Sequence, residues 1–225
     1  PGESTASITA TATDTQHGGE VVVVDSASMT VVSTVVLRHS DDADFENSGG
    51  GIPNYVGAAV ISPDGSSAWA PSKKDNVKRG TLRSGANLNH QNTVRAISSR
   101  IDLGSLTETF ASRVDHDNAS MASTAAFDRY GVFLFVALET SREVAVVDAN
   151  NHTEFFRINV GRAPRGLAVS ADGYVLYVHN FMDRSVSAYD LHPLVDQGRW
   201  EAPLLATLQS VATEKLSPSV LIGKQ

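Results

Sequence analysis

The chain of 225 residues contains no cysteine, which excludes disulfides, zinc–cysteine sites, thiol nucleophiles and covalently attached haem c within these residues. Basic residues are scarce too. Lys and Arg number 18 against 25 Asp and Glu, for a net charge of −7, and outside one segment they are scattered. A duplex nucleic-acid binder needs a basic stripe, so no nucleic-acid partner is expected. Long apolar runs are missing. Residues 132–138 form one of the longest, far short of the roughly 20 needed for a membrane-spanning helix, so no transmembrane segment is expected. No sustained 3.6-residue period marks a helix. Catalytic signatures are also absent: there is no GxSxG, Walker loop, HExxH or GxGxxG. The chain opens on Pro1 rather than Met, as a processed or excised piece does.

What is present is a repeat. The phrase SPDGSSAWAPS at 62–72 returns as SADGYVLYVHN at 170–180. Each passes through an Asp-Gly pair, whose glycine supplies the positive φ that a tight hairpin needs. A looser version, Asp128-Arg129-Tyr130-Gly131, lies between them. In four places, three of them following such a motif, an apolar stretch ends in an aspartate, turns, and returns as a second strand. These aspartates are Asp25, Asp102, Asp148 and Asp190, spaced by 77, 46 and 42 residues. A period near 40–45 built from four short strands signals a β-propeller, and the long first spacing marks an insertion. The expected fold is therefore all-β, a propeller of four-stranded antiparallel blades spanning 1–211. It comprises a partial blade at 7–37, a blade at 55–114 interrupted by an insertion at 71–94, and blades at 121–161 and 164–211. Residues 212–225 form a linker. Either these blades belong to a larger ring, the favoured reading, or residues 219–222 add a strand that closes a small one. The competing architecture is a two-sheet sandwich with accidental Asp-Gly turns.

The stretch EVAVVDANNHTEFFRINVGRAPRGLAVSADGYVLYVHNFMDRSVSAYD at 143–190 resembles the YVTN-type propeller repeat. That resemblance implies a bacterial or archaeal protein of the periplasm or cell surface. The tail LSPSVLIGKQ at 216–225 is similar to the segment that leads into MauG-like dihaem cytochrome c peroxidase domains, which follow such propellers in some bacterial chains. PSKKDNVKRG and RVDHDNASM also look like segments of those fusions. The resemblance implies a haem-bearing domain or protein as partner, with haem c held in a part following Gln225. Since no CxxCH is present, no peroxidase residue can be carried over.

Strand alternation sorts the loops. First-to-second and third-to-fourth strand turns fall on one face, whereas second-to-third and inter-blade connections fall on the other. The longer connections, at 38–54, 71–92, 115–120, 139–142, 161–166 and 180–184, all belong to the second face, together with His17, His39, His90, His116 and His179. His152 and His192 fall opposite. Long loops on a rigid scaffold are where binding groups sit, although exposed loops are polar in any case. Lys73, Lys74, Lys78, Arg79 and Arg83 form a basic insertion suited to an acidic partner surface or haem propionates. Asp115, His116, Asp117 and Asn118 surround an imidazole with carboxylates, or form an Asx turn. Arg165, His179 and Asn180 stand near the expected axis; copper is not expected there, since one axial histidine per two blades is too few. Asp41, Asp42, Asp44 and Glu46, with Asn47, offer oxygen ligands for calcium, but they lack EF-hand spacing and its terminal bidentate Glu, and a solvated loop is the favoured reading. Glu139 and Asp183 can face each other across neighbouring loops. The leading function is a non-catalytic module presenting this face to a haem domain. The alternatives are an adhesion-type propeller binding protein or carbohydrate, with or without calcium, and a propeller enzyme acting in the axial channel.

Overall fold

The computed structural model describes residues 18–45, 48–82, 84–90, 92–213 and 215–224. The first part of the predicted partial blade (7–17), His17, Glu46, Asn47 and Arg83 lie outside the described residues. Four antiparallel sheets follow one another in chain order. The first pairs β1 (Glu20–Asp25) with β2 (Thr30–Val36). The second contains β3 (Ile52–Asn54), β4 (Val60–Ile61), β5 (Ser67–Asp75), β6 (Val94–Asp102), β7 (Thr107–Glu108) and β8 (Val114–His116). The third runs β9 (Ala122–Phe127), β10 (Phe133–Leu138), β11 (Glu143–Asp148), β12 (Thr153–Asn159). The fourth is β13 (Pro164–Val169), β14 (Val175–Asn180), β15 (Ser185–Asp190), β16 (Leu204–Gln209), with a short helix α1 (His192–Val195) between its last two strands.

Aspartates explain why the turns fall where they do. Asp25 Oδ1 accepts from the Ser28 amide at 2.6 Å, and Asp102 Oδ1 from the Ser105 amide at 2.7 Å. Asp148 takes the Asn150 and Asn151 amides at 2.8 and 3.0 Å, and Asp190 takes the His192 amide at 3.0 Å. The twin phrases also share a cage. Ser62 and Ser170 each donate their hydroxyl to the aspartate two residues on, Asp64 and Asp172, at 2.5 Å, and accept from the amides of Ser67 and Val175. Asp128 takes the Phe133 amide at 2.8 Å. Each carboxylate gives the turn's free N–H groups an acceptor.

Side chains of the central strands alternate between two interfaces, as a period of two requires. Leu134, Val136, Ala145 and Val147 face the second sheet and pack with Trp69, whereas Phe135, Val144 and Val146 face the fourth and pack with Leu176, Val178 and Tyr189. Ala68, Ala70 and Ile101 pack in turn against Val35 of the first sheet. Three apolar layers thus separate four sheets stacked in series. Two sheets pressed face to face would have one layer, so the sandwich reading is excluded.

Two expectations need correction. The insertion is shorter than 71–94, because β5 continues through Pro71 to Asp75 and pairs along its whole length with β6. Pro71 and the lysines disguised this strand, whose polar face is covered by the 38–51 connection. In addition, 219–222 is no closing strand. It lies in a helix, α2 (Pro218–Lys224), which starts with proline at its first position and with the Ser217 hydroxyl facing the Val220 amide. Among the described residues nothing covers the outer faces of the first and last sheets: Val22, Val31 and Leu204 are exposed, and Leu208 is 70% exposed. Because Phe135 is fully buried in the layer between the third and fourth sheets, Phe135→Ala is expected to cost about 3–5 kcal/mol in chemical denaturation.

Candidate functional site

The inner strands begin on the long-loop face, and their first residues converge. Tyr55, Val56 and Gly57 lead into β4, Met121 and Ser123 stand at the start of β9, and Arg165 is the second residue of β13. With Glu139, from the connection after β10, they line a cavity of about 400 Å³ at the axial mouth of the stacked sheets. Close packing positions these groups. A Cβ on Gly57 would lie 2.4 Å from the Ser123 carbonyl oxygen, so only glycine lets this connection lie against β9. The Ser123 hydroxyl donates to the Pro164 carbonyl at 2.8 Å, joining the third and fourth sheets.

Arg165 Nη2 pairs with Glu139 Oε1 at 2.8 Å, and its guanidinium stands 5.1 Å from the centre of the Phe181 ring. The other carboxylate oxygen, Glu139 Oε2, is buried without a hydrogen-bond partner. Across the mouth, Tyr55 has a left-handed φ of 47° and a 60% exposed side chain, with Lys73 Nζ 4.5 Å from its ring centre. The mouth therefore presents an exposed aromatic ring and two partly exposed cations, Arg165 paired with Glu139 and Lys73 with Asp75 at 3.1 Å. Its serine hydroxyl, that of Ser123, is already engaged. This arrangement suits binding better than nucleophilic chemistry.

The two charged segments singled out separately in the sequence meet each other. Lys78 pairs with Asp41 at 2.6 Å and Arg79 with Asp44 at 2.7 Å, so the basic insertion and the acidic loop largely neutralise one another. Lys78 holds the Asp41 carboxyl below the usual carboxylate range. Asp42 accepts from the Ser40 hydroxyl at 2.6 Å. Among the described residues no group of three or more metal-ligating side chains is present, and a calcium ion at this loop would have to displace two cations.

Four expected partner-binding residues are not at the surface. Lys74 is 2% exposed and pairs with Asp115, also buried, at 2.6 Å, because the long β5 carries it beneath the 38–51 connection. Its amine also donates to the Gly49 carbonyl. Burial pushes the Lys74 pKa down, against the opposing pull of Asp115. His116 is fully buried in β8, and Asn180 is fully buried at the end of β14, donating to the hydroxyls of Ser185 and Ser187. Lys73, Lys78, Arg79, Asp117, Asn118, Arg165 and His179 keep at least part of their surface. Asp117 and Asn118 line a second cavity of about 210 Å³ with His90 and Arg95, and His179 stands edge-on to Phe181. Glu139 and Asp183 do not act as a pair: Glu139 is held by Arg165, and Asp183 accepts from the Arg162 amide at 2.6 Å.

Burial also decides the meaning of a constellation that sequence reasoning could not see. Ser98 Oγ is 3.0 Å from His116 Nε2, and His116 Nδ1 is 2.7 Å from Glu154 Oε2, the spacing of nucleophile, base and orienting carboxylate. Ser98 and His116 are both sealed inside the second sheet, where no substrate can reach the hydroxyl. The trio instead ties β8 to β12. Arg157 extends it to Glu154 at 2.6 Å, to Glu143 at 2.9 Å and to the Asp117 carbonyl at 2.6 Å. Burial of Glu154 opposes its ionisation, but hydrogen bonds from His116 and Arg157 outweigh it and leave the carboxyl below the usual glutamate value.

Neither a protein-family model nor a curated protein sequence matches the chain. Solved structures do match. The periplasmic gluconolactonase of Pseudomonas aeruginosa is 18% identical with a TM-score of 0.57, covering 89% of this chain and 53% of that one. A protein from Lactobacillus plantarum is 18% identical with a TM-score of 0.51, covering 85% and 49%. Hydrazine synthase from Kuenenia stuttgartiensis is 12% identical with a TM-score of 0.50, covering 76% and 64%. The chain thus spans half to two thirds of the length of these proteins. Such likeness establishes the β-propeller fold and nothing of activity. No helix among the described residues is long and apolar enough to cross a membrane.

The interlocked loops rest on an ion pair that is buried in one case and exposed in the other. Lys74→Met, which strands the buried Asp115 charge, is expected to cost about 3–5 kcal/mol. Lys78→Met, which breaks a pair open to water, should cost less than about 1 kcal/mol in the same denaturation assay.

Proposed function

We propose that the chain is a non-catalytic β-propeller module that presents its long-loop face to a protein partner, and that this partner is a c-type haem domain of an electron-transfer or peroxidase-like protein in the periplasm or at the cell surface. The observation that carries this reading is the convergence of three sheets on the axial mouth. There the exposed Tyr55 ring and the Arg165 and Lys73 cations stand together on the face that also bears the longest connections. Aromatic and arginine side chains beside a cavity are what protein interfaces favour, and cations suit an acidic surface or haem propionates. The haem would belong to the partner, since the chain has no cysteine to attach it. The resemblance of 216–225 to the lead-in of MauG-like domains supports the choice of partner. The periplasmic gluconolactonase neighbour is compatible with the proposed location. The outer faces of the first and last sheets, uncovered among the described residues, support a larger ring, completed by further blades. An adhesin held together by calcium is the weaker alternative, because Asp41 and Asp44 already have Lys78 and Arg79 as counter-ions.

The test uses the parent protein. Its polypeptide should stain for covalent haem. Hydrogen exchange with and without the haem domain should show protection at 38–54, 117–121, 139–142 and 181–184, and Arg165→Glu should weaken docking about tenfold. Absence of haem would overturn the redox part of the reading, and protection confined to the opposite, short-turn face would overturn the docking surface.

A further inference from the structure

His39 lies in the connection that follows β2 on the long-loop face. Its side chain is 1% exposed, neither ring nitrogen has a hydrogen-bond partner, and its nearest charged neighbour, Asp41 Oδ1, is 3.4 Å from Nδ1. Buried polar groups in native proteins are hydrogen-bonded with few exceptions, and each exception calls for a ligand, a water or an ion. The ring lines a cavity of about 250 Å³ between the 38–51 connection and residues 76–86, together with Asp41, Asp42, Asp44, Lys78 and Arg79.

The charges around this cavity restrict what can enter. Lys78 and Arg79 already neutralise Asp41 and Asp44, so a cation must displace both, and a phosphate meets three carboxylates. A neutral molecule rich in hydroxyls meets neither obstacle, since it can donate to the carboxylates and accept from the amine and guanidinium without breaking an ion pair. The volume lies below the roughly 300–1,000 Å³ of sites for drug-sized ligands, which limits the guest to about one ring. Burial, then the Lys78 charge, pushes the His39 pKa down. A neutral imidazole has one nitrogen that donates and one that accepts, as a sugar hydroxyl does.

We infer that the cavity floored by His39 is a binding site for a single neutral sugar ring, separate from the axial mouth. Saturation-transfer NMR with the methyl glycosides of glucose, galactose and mannose, at about 1–10 mM each, tests it. Transfer is expected to at least one glycoside, with affinity about tenfold weaker in Asp42→Ala and in His39→Phe and unchanged in Ser28→Ala on the first sheet. Asp42→Ala decides the matter if His39→Phe fails to fold. The inference is overturned if none of the three glycosides receives saturation, as when water alone fills the cavity, or if transfer persists undiminished in the folded variants. It is equally overturned if calcium or phosphate shifts the amide signals of Gly50 and Asn76 while the glycosides do not.

Discussion

An ionised aspartate that gathers the amide protons of a tight turn is the interaction on which the rest of this structure depends. It occurs at the ends of β1, β6, β11 and β15 in Asp25, Asp102, Asp148 and Asp190, and in the first hairpin of three sheets in Asp64, Asp128 and Asp172. A carboxylate accepts but never donates, so it favours the turn in which several N–H groups point one way. Hydrogen bonds from Ser62 and Ser66 hold Asp64 down to about 2. The Ser28 hydroxyl for Asp25, the Ser105 amide for Asp102, the Ser170 hydroxyl for Asp172 and the His192 amide for Asp190 act in the same direction. At Asp148 burial pulls the other way and the Asn151 and Asn150 hydrogen bonds outweigh it.

Short closed turns on one face leave the opposite face free to vary. There the connections lengthen, and the two longest, at 38–51 and 76–93, fold onto each other through Lys78–Asp41, Arg79–Asp44 and the buried Lys74. Their mutual neutralisation converts two loops into a wall with a cavity behind it. The axial mouth arises differently, from the starts of inner strands brought together by sheet stacking. Recognition groups on this face are thus mounted on strands and ion-paired connections whose geometry is set from the far side of each sheet.

The repeat was legible because its cause is local. A serine, an aspartate and a glycine within four residues carry all the information of the turn, and alternating Val, Ala and Phe in β10 and β11 carry the two-sided burial. The site was less legible because its partners are remote in sequence. Lys78 and Arg79 looked like a docking patch and Asp41 and Asp44 like cation ligands, since nothing within either segment shows that they face each other. Pro71 and a run of polar residues hid the extension of β5, and with it the burial of Lys74. His116 read as a loop histidine, yet the split fourth strand of the second sheet draws it inward to Ser98 and Glu154. Tyr55 carried no signal at all, because its left-handed backbone depends on the break between β3 and β4.

Carboxylate titration by carbon-detected NMR tests the central role of the aspartates most directly. A carboxyl whose folded pKa is depressed stabilises the fold fully above its unfolded value, and that contribution disappears as pH falls through the folded value. Asp25, Asp64, Asp102, Asp148, Asp172 and Asp190 should all titrate below 3.8, Asp64 at about 2, with stability declining in step as the pH drops through that range. Titration of these six at or above 3.8, with stability flat across the same interval, would contradict the account.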